Sequence, residues 1–148
     1  MNIERTLKQL IEGEGYRYVH LIDGYALNTM LPQLTKERKP FIVNYVALGG
    51  GFDITEGIRR ERSRIQLLLA DIVPFSSNAQ TEADSVSAIN ERQKQHLNNI
   101  IDALNTSGNF ERIDTYDIMI VPLRFDAFCA TMTVEFTLQE TPGECTDE

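Results

Sequence analysis

The sequence predicts an α+β fold in which two helices pack on one face of a single mixed or antiparallel sheet of about four to five strands. Three observations lead to this class. Apolar residues recur at helical spacing near the N-terminus and again after residue 84, strand-like runs lie between these segments, and two more strand-like runs follow. The 148 residues fit one domain, 1–148, because a chain of this length can form one hydrophobic core.

The chain begins with a predicted helix and strand. Four apolar residues lie at helical spacing: Ile3, Leu7, Leu10 and Ile11. Gly13 and Gly15 follow where a helix would end. Residues 16–23 are rich in aromatic and β-branched side chains, which indicates a strand.

An irregular connection and a second strand are expected next. Residues 25–40 contain Pro32 and Pro40, which break any regular helix. Residues 41–48 are again strand-like, and the triple glycine 49–51 is predicted to end them in a flexible loop.

Residues 58–73 fit a long strand better than a helix. On a helix their apolar side chains form no clear stripe, whereas on a strand Ile65, Leu67 and Leu69 share one face and the polar side chains share the other. We expect the first half of this strand to protrude from the sheet and the second half to be buried on both faces.

The last half of the chain is predicted as a loop, a long helix and two strands. Residues 76–85 form the polar loop, and residues 84–106 form the helix, capped by Thr81 or Ser85 and ended at Gly108. The apolar residues on one side of this helix are Val86, Ile89, Leu97, Ile100, Ile101 and Leu104.

Two final strands complete the predicted sheet. Residues 110–123 are predicted as one strand. Pro122 disrupts its end, and a turn over residues 124–128 follows. Residues 130–140 alternate between apolar and polar, which indicates a strand with one buried face. A loose acidic tail is expected from about residue 141.

The composition argues against several kinds of function. The formal net charge is −8, so direct binding of nucleic acid is not expected, since affinity for phosphates depends on lysine and arginine. The N-terminus lacks the apolar segment of a signal peptide, and no run is long enough to cross a membrane. A cytoplasmic protein is therefore expected.

No motif for catalysis, a cofactor or a metal stands out. The triple glycine lacks the lysine and helix start of a phosphate-binding loop. His20 and His96 have no ligand at metal-binding spacing, and Cys129 and Cys145 form no CxxC pair. We therefore predict no catalytic residues, no metal and no cofactor, although a site built from residues distant in sequence stays open.

The candidate interaction residues are four clustered arginines: Arg59, Arg60, Arg62 and Arg64. They could keep an exposed strand edge soluble and unpaired. They could instead contact the acidic face of an identical subunit, as in a closed ring. Contact with DNA is the least expected of the three, because the whole chain is strongly negative.

Several phrases resemble one protein family. They are "IRRERSRIQLLLAD", "INERQKQHLNNIIDALNTSGNFERI", "RFDAF" and "GEC", within roughly residues 50 to 145. Ile58, Arg60, Glu61 and Arg62 match an Ile-Arg-Glu-Arg phrase of the family, with Arg59 as an extra residue. A second family phrase is matched by Ala103, Leu104, Asn105, Ser107, Gly108 and Phe110. With its order of elements, the chain resembles phage and prophage tail terminator, or tail completion, proteins and related neck or tail components.

The resemblance implies a structural function without catalysis. Proteins of that family form rings, commonly hexamers, that cap the tail tube and join it to the head, and many stay monomeric until they meet the tail. It implies a homo-oligomer that contacts tail or neck proteins, first in the cytoplasm and then in the virion. The alternative is a cytoplasmic enzyme or ligand-binding domain whose site is not visible in the sequence.

Overall fold

The computed structural model describes residues 2–21, 41–45, 49–73, 76–120, 123–124 and 128–141. Two helices and seven strands lie within these ranges. In chain order they are α1 (Ile3–Gly13), β1 (Arg17–Leu21), β2 (Phe41–Tyr45), β3 (Gly49–Thr55), β4 (Ile58–Ile72), α2 (Ala79–Thr106), β5 (Asp117–Ile120), β6 (Leu123–Arg124) and β7 (Phe128–Gln139). The predicted connection at 25–40, most of the turn at 124–128 and nearly all of the acidic tail lie outside the described residues.

The strands form one mixed sheet in the order β1-β2-β4-β7-β5. β1 pairs with β2 in parallel, and the other pairings are antiparallel. β3 pairs with β4 on the side of β2, and β6 pairs with β7 on the side of β5. Together with the two helices, this confirms the α+β class.

The ladder between β4 and β7 forms the centre of the sheet. It joins eleven residue pairs, from Arg62–Gln139 to Ile72–Cys129. Alternate residues of both strands enter the main hydrophobic core beside residues of the two helices. The members contributed by β4 and β7 are Ile65, Leu67, Leu69, Met132, Val134, Phe136 and Leu138. Leu68 and Ala70, which point to the opposite face, are also buried, so the prediction for the second half of β4 is confirmed.

Both helices pack on the same face of the sheet. Ile3, Leu7 and Ile11 of α1 belong to the same core as the apolar face of α2. The side chain of Asn2 accepts a hydrogen bond from the backbone N–H of Arg5 at 3.0 Å and thereby caps α1. Gly15, just past the end of α1, has a φ of +90°, a conformation that glycine adopts without strain.

A buried glutamine joins α2 to the central ladder. Gln93 Nε2 donates hydrogen bonds to the carbonyl oxygens of Leu69, at 3.2 Å, and Ala130, at 2.9 Å. These carbonyls belong to β4 and β7. One amide group therefore fixes the helix against both central strands.

The long helix begins earlier than the sequence predicts. Residues 79–85 are helical rather than a loop, and the cap is Asn78 instead of Thr81 or Ser85. Asn78 Oδ1 accepts hydrogen bonds from the backbone N–H groups of Gln80 and Thr81. The first turns of α2 are largely exposed, so they carry no apolar periodicity from which the start could be read. Gly108 follows the helix with a φ of +76°, as predicted.

The predicted glycine loop is wrong, because Gly49, Gly50 and Gly51 begin strand β3. A Cβ atom on Gly50 would lie 2.7 Å from the carbonyl oxygen of Arg62, and one on Gly51 would lie 2.9 Å from the Arg62 guanidinium. Glycine is therefore used here for close approach to β4. A tight turn at Glu56 and Gly57, with φ of +53° and +80°, returns the chain.

The predicted single strand over residues 110–123 is also wrong. Among its described residues only β5 and the first residue of β6 are in strands, and Phe110 forms one isolated bridge to Glu140. Between Phe110 and β5, the side chain of Asn105 takes the place of a partner strand. Its Oδ1 accepts from the Ile113 N–H at 2.8 Å and its Nδ2 donates to the Ile113 carbonyl at 3.3 Å. The buried Ile113 side chain is held in the core in this way.

We expect Asn105→Ala to lower the free energy of unfolding by about 1 to 3 kcal/mol, because it leaves the backbone of Ile113 without both partners. Urea denaturation measures this value. The control is Asn99→Ala on the exposed side of α2, whose amide makes a single hydrogen bond of 3.3 Å to Tyr16. Equal losses in the two variants would contradict the assigned role of Asn105.

Candidate functional site

The β3–β4 hairpin extends past the end of the central ladder as an arm, here defined as residues 52–61. The last β4–β7 pair is Arg62–Gln139, and Glu140 then donates its N–H to the carbonyl of Glu61 at 2.9 Å. Farther along, the described pairing partner of β4 is β3 alone. The first half of β4 therefore protrudes as a two-stranded ribbon, as the sequence analysis predicts.

The four candidate arginines are divided between the arm and the body of the sheet. Arg59 and Arg60 lie in the arm, where β4 has an open edge. Arg62 and Arg64 lie between β3 and β7. Protection of a strand edge can therefore apply only to the first two.

The alternation of β4 also separates the arginines by face. Arg60, Arg62 and Arg64 point away from the helices, and Arg59 points to the helix side. Arg60 Nη1 lies 3.0 Å from Glu111 Oε1, and Arg62 Nε lies 3.3 Å from Asp53 Oδ1. Arg59 and Arg64 have no ion pair among the described residues. The structure thus does not gather the four into one patch.

The arm also carries exposed apolar side chains that the sequence analysis missed. Phe52 is 59% exposed, Ile54 is 62% exposed and Ile58 is 50% exposed. Their pairing partners place Phe52 and Ile54 on the helix side and Ile58 on the opposite face. The sequence signal for β3 is the apolar–polar alternation in "FDIT". It is short, and it directly follows three glycines that are predicted as a loop.

A second exposed apolar surface lies at the opposite side of the sheet. β5 ends the order of the described strands and pairs only with β7. We call its residues, Asp117–Ile120, the β5 edge. All four are exposed, including Ile118, Ile120 and Met119, the last at 64%. The β5 edge therefore combines an open backbone with apolar side chains.

A charged cleft of about 410 Å³ lies next to the β5 edge. Basic and acidic side chains both line it, namely Arg64, Arg112, Asp114, Asp117 and Glu135, together with Tyr116. Arg112 Nε lies 3.1 Å from Asp114 Oδ1, so one of the two arginines is already paired with a carboxylate. Of the four candidate arginines, only Arg64 lines this cleft.

His96 contacts another element of the fold. Tyr16 O–H lies 2.9 Å from His96 Nδ1, the two rings meet edge to face at 5.0 Å, and Asn99 Nδ2 donates to the same hydroxyl oxygen. Burial lowers the pKa of His96, nearby Arg92 lowers it further, and Asp71 opposes both. Because Asn99 donates to the Tyr16 oxygen, the hydroxyl hydrogen is left for His96, and the neutral ring protonated at Nε2 accepts this hydrogen bond at Nδ1. This bond ties the segment after α1 to α2. A shallow, open hollow beside it is lined by Glu91, Arg92, Gln95 and Asn99.

The remaining reactive side chains have other local roles. His20 Nδ1 lies 3.3 Å from Glu4 Oε1 at the surface. Cys129 is buried, and this burial, together with Asp71, raises its pKa to about 11. At neutral pH it is therefore a thiol rather than a nucleophilic thiolate. Cys145 lies outside the described residues.

No group of three or more His, Cys, Asp or Glu residues in the described ranges is arranged to hold a metal ion. None of the described helices is long and apolar enough to cross a membrane. No protein-family model matches the chain, and no curated protein matches it.

We expect Gly50→Ala to destabilise the hairpin, because its Cβ would lie 2.7 Å from the Arg62 carbonyl oxygen. Gly49→Ala is the matched control, since a Cβ there meets no atom of the described residues within 4 Å. Hydrogen exchange of the arm amides measures the effect, and exchange should become faster only in Gly50→Ala. Similar exchange in both variants would contradict the close approach.

We expect His96 to make stability depend on pH. Its folded pKa lies below the unfolded value of 6.5, so its contribution is complete above pH 6.5 and is lost as the pH falls through the folded pKa. Urea unfolding at about pH 7.5 and about pH 5 should show a smaller acid loss for His96→Gln than for the wild type. His20→Gln controls for removal of a surface imidazole. An unchanged acid loss in His96→Gln would contradict this role.

Proposed function

We propose that the chain is a structural protein of a phage or prophage particle, of the tail terminator or tail completion kind, that acts through contacts between subunits and with tail or neck proteins. The arm is the observation that carries this proposal. It adds to the sequence resemblance a surface suited to assembly. The protein would act in the cytoplasm during assembly and then remain in the virion.

The apolar residues of the arm support a role in binding. Phe52 and Ile54 are exposed on the same face of the ribbon, and neither of the two described helices packs extensively against β3. Single exposed apolar residues are common on proteins, but a cluster on a projecting element marks a contact surface. Full burial of one such side chain contributes roughly 1.5 to 3 kcal/mol. A partner that covers the arm would therefore gain affinity.

The arginines of the arm and the adjacent Arg62 support a contact with an acidic surface. Arg59 has no ion pair among the described residues, and the pairs of Arg60 and Arg62 are partly or largely open to solvent. Such pairs contribute only about 0 to 1 kcal/mol, so they can exchange partners at small cost. The chain itself has 22 acidic and 14 basic residues, so an identical subunit offers carboxylates.

The charged cleft supports a second candidate, a ligand-binding domain or enzyme. Its volume of about 410 Å³ falls in the range of small-molecule sites. Arg64, Arg112 and Tyr116 could orient an anionic group there. However, three carboxylates line the same cleft, and ligand sites are usually mostly apolar. Binding of a small anion that is lost in Arg64→Gln would favour this candidate.

We expect reversal of all four arginines to glutamate to reduce the yield of particles with complete tails by at least about tenfold, which corresponds to about 1.4 kcal/mol at one contact. The variant would be supplied to a strain that lacks the gene, and particles would be counted by electron microscopy. Arg→Lys at the same positions keeps the charge and is the control.

The free energy of unfolding of the isolated variant must first be compared with that of the wild type. This comparison separates a lost contact from a lost fold, because Glu at positions 60 and 62 would face Glu111 and Asp53. Normal tails with the folded glutamate variant would rule out an assembly role for the four arginines.

A further inference from the structure

We propose that the β5 edge of one subunit binds strand β3 from the arm of a second copy, so that the sheet continues from subunit to subunit. This inference rests on the proposed function and names the surface that receives the arm. The two contact surfaces would then be different parts of the same chain.

The β5 edge has the features of an acceptor strand. An open strand edge offers a row of N–H and C=O groups to another strand, and proteins usually protect such edges with charges, proline or a covering element. Ile118, Met119 and Ile120 are instead apolar and exposed. β1, at the other end of the strand order, differs, since Tyr18 and Val19 are buried. The β5 edge is therefore left open in the described structure.

The β3 strand offers a matching edge. Within the described residues it pairs only with β4, so its outer edge is open. Phe52 and Ile54 lie opposite Glu61 and Arg59, residues of β4 that share the helix-side parity of Ile65. This parity places the two apolar residues of β3 on the helix side of the sheet.

The apolar residues of β5 lie on the same side. Ile118 pairs with Val134 and Ile120 pairs with Met132, and both partners belong to the helix-side core. If β3 of a second copy joins β5 in one continuous sheet with the helices of both copies on the same side, the two strands run antiparallel. Phe52 then lies beside Ile120, and Ile54 lies beside Ile118. Cross-strand apolar pairs of this kind stabilise a sheet by roughly 0.2 to 1 kcal/mol each.

Charge complementarity on the other face favours the same partner. Arg60 of the arm and the adjacent Arg62 point away from the helices, as do Asp117 and Glu135 at the cleft beside β5. In the joined sheet the arginines would lie one strand beyond β3, two strand spacings or about 9.6 Å from Asp117 and three spacings or about 14 Å from Glu135. An extended arginine side chain that leans across β3 can meet the Asp117 carboxylate, whereas Glu135 lies too far away.

The open edges of β3 and β5 cannot pair with each other within one subunit. β3 lies on one side of β4, and β5 lies beyond β7 on the other side, so they are separated by roughly three strand spacings, about 14 Å. A contact between unlike surfaces of identical chains is heterologous, and it forms a closed ring if the rotation closes. Pairing of like edges would stop at a dimer instead.

Complementation between two variants tests the proposal. The arm variant carries Phe52→Lys and Ile54→Lys, the edge variant carries Ile118→Lys and Ile120→Lys, and Ile58→Lys is the control on the other face of the arm. Sedimentation of concentrated protein should show oligomers for the wild type and Ile58→Lys. Each double variant alone should self-associate at least about tenfold more weakly. Their equimolar mixture should form a heterodimer and nothing larger, because only one intact arm and one intact edge remain.

Disulfide trapping tests the contact without relying on strong association or on the lysine variants. Ile54→Cys and Ile118→Cys, each in a Cys145→Ser chain, should form a covalent heterodimer when mixed under oxidation. Ile58→Cys should form at least about tenfold less with Ile118→Cys. Hydrogen exchange confirms that each variant keeps its β4–β7 ladder.

The outcomes separate this proposal from the proposed function. If the edge variant assembles like the wild type while the arm variant does not, the arm binds elsewhere and only the present inference fails. Self-association of the edge variant through its arm alone would also overturn it. If the wild type stays monomeric and no disulfide forms, direct association of this edge with the arm is excluded, while the tail-completion assay still judges the proposed function independently.

Discussion

The structure depends on the antiparallel ladder between β4 and β7. Its eleven pairs place apolar residues of both strands under the helices and bring Gln93 of α2 within reach of carbonyls on each strand. β2 and β3 are added on one side of this pair, and β5 and β6 on the other. Every surface considered as a contact site is therefore positioned by the same two strands.

The sequence predicts best where one period dominates. Leu67–Ala70 and the alternating residues of β7 are buried as expected, since burial on one or both faces leaves a direct pattern in the residue types. Sequence prediction is wrong where the backbone conformation depends on a side-chain hydrogen bond that leaves no periodic pattern in the sequence. The start of α2 depends on the Asn78 cap, and residue 113 is fixed by the Asn105 amide, which comes from another element.

The candidate site shows the same limit. The protruding half of β4 could be predicted from its charges, but the partner strand β3 could not, because three glycines have low strand propensity and their use in close approach is a tertiary effect. The exposure of Ile118 and Met119 likewise could not be predicted from the sequence. An apolar run in sequence is ordinarily assigned to the core, and only the strand order shows that β5 lies at an edge.

The continuity of β4 has a mechanical consequence. The same strand forms half of the arm and half of the central ladder, with no loop between them. A force applied to the arm along the strand would be divided among many backbone hydrogen bonds loaded in parallel, rather than opening them one after another. A load on this hairpin would thus reach the centre of the sheet directly, and a subunit held by it would resist tension as one body.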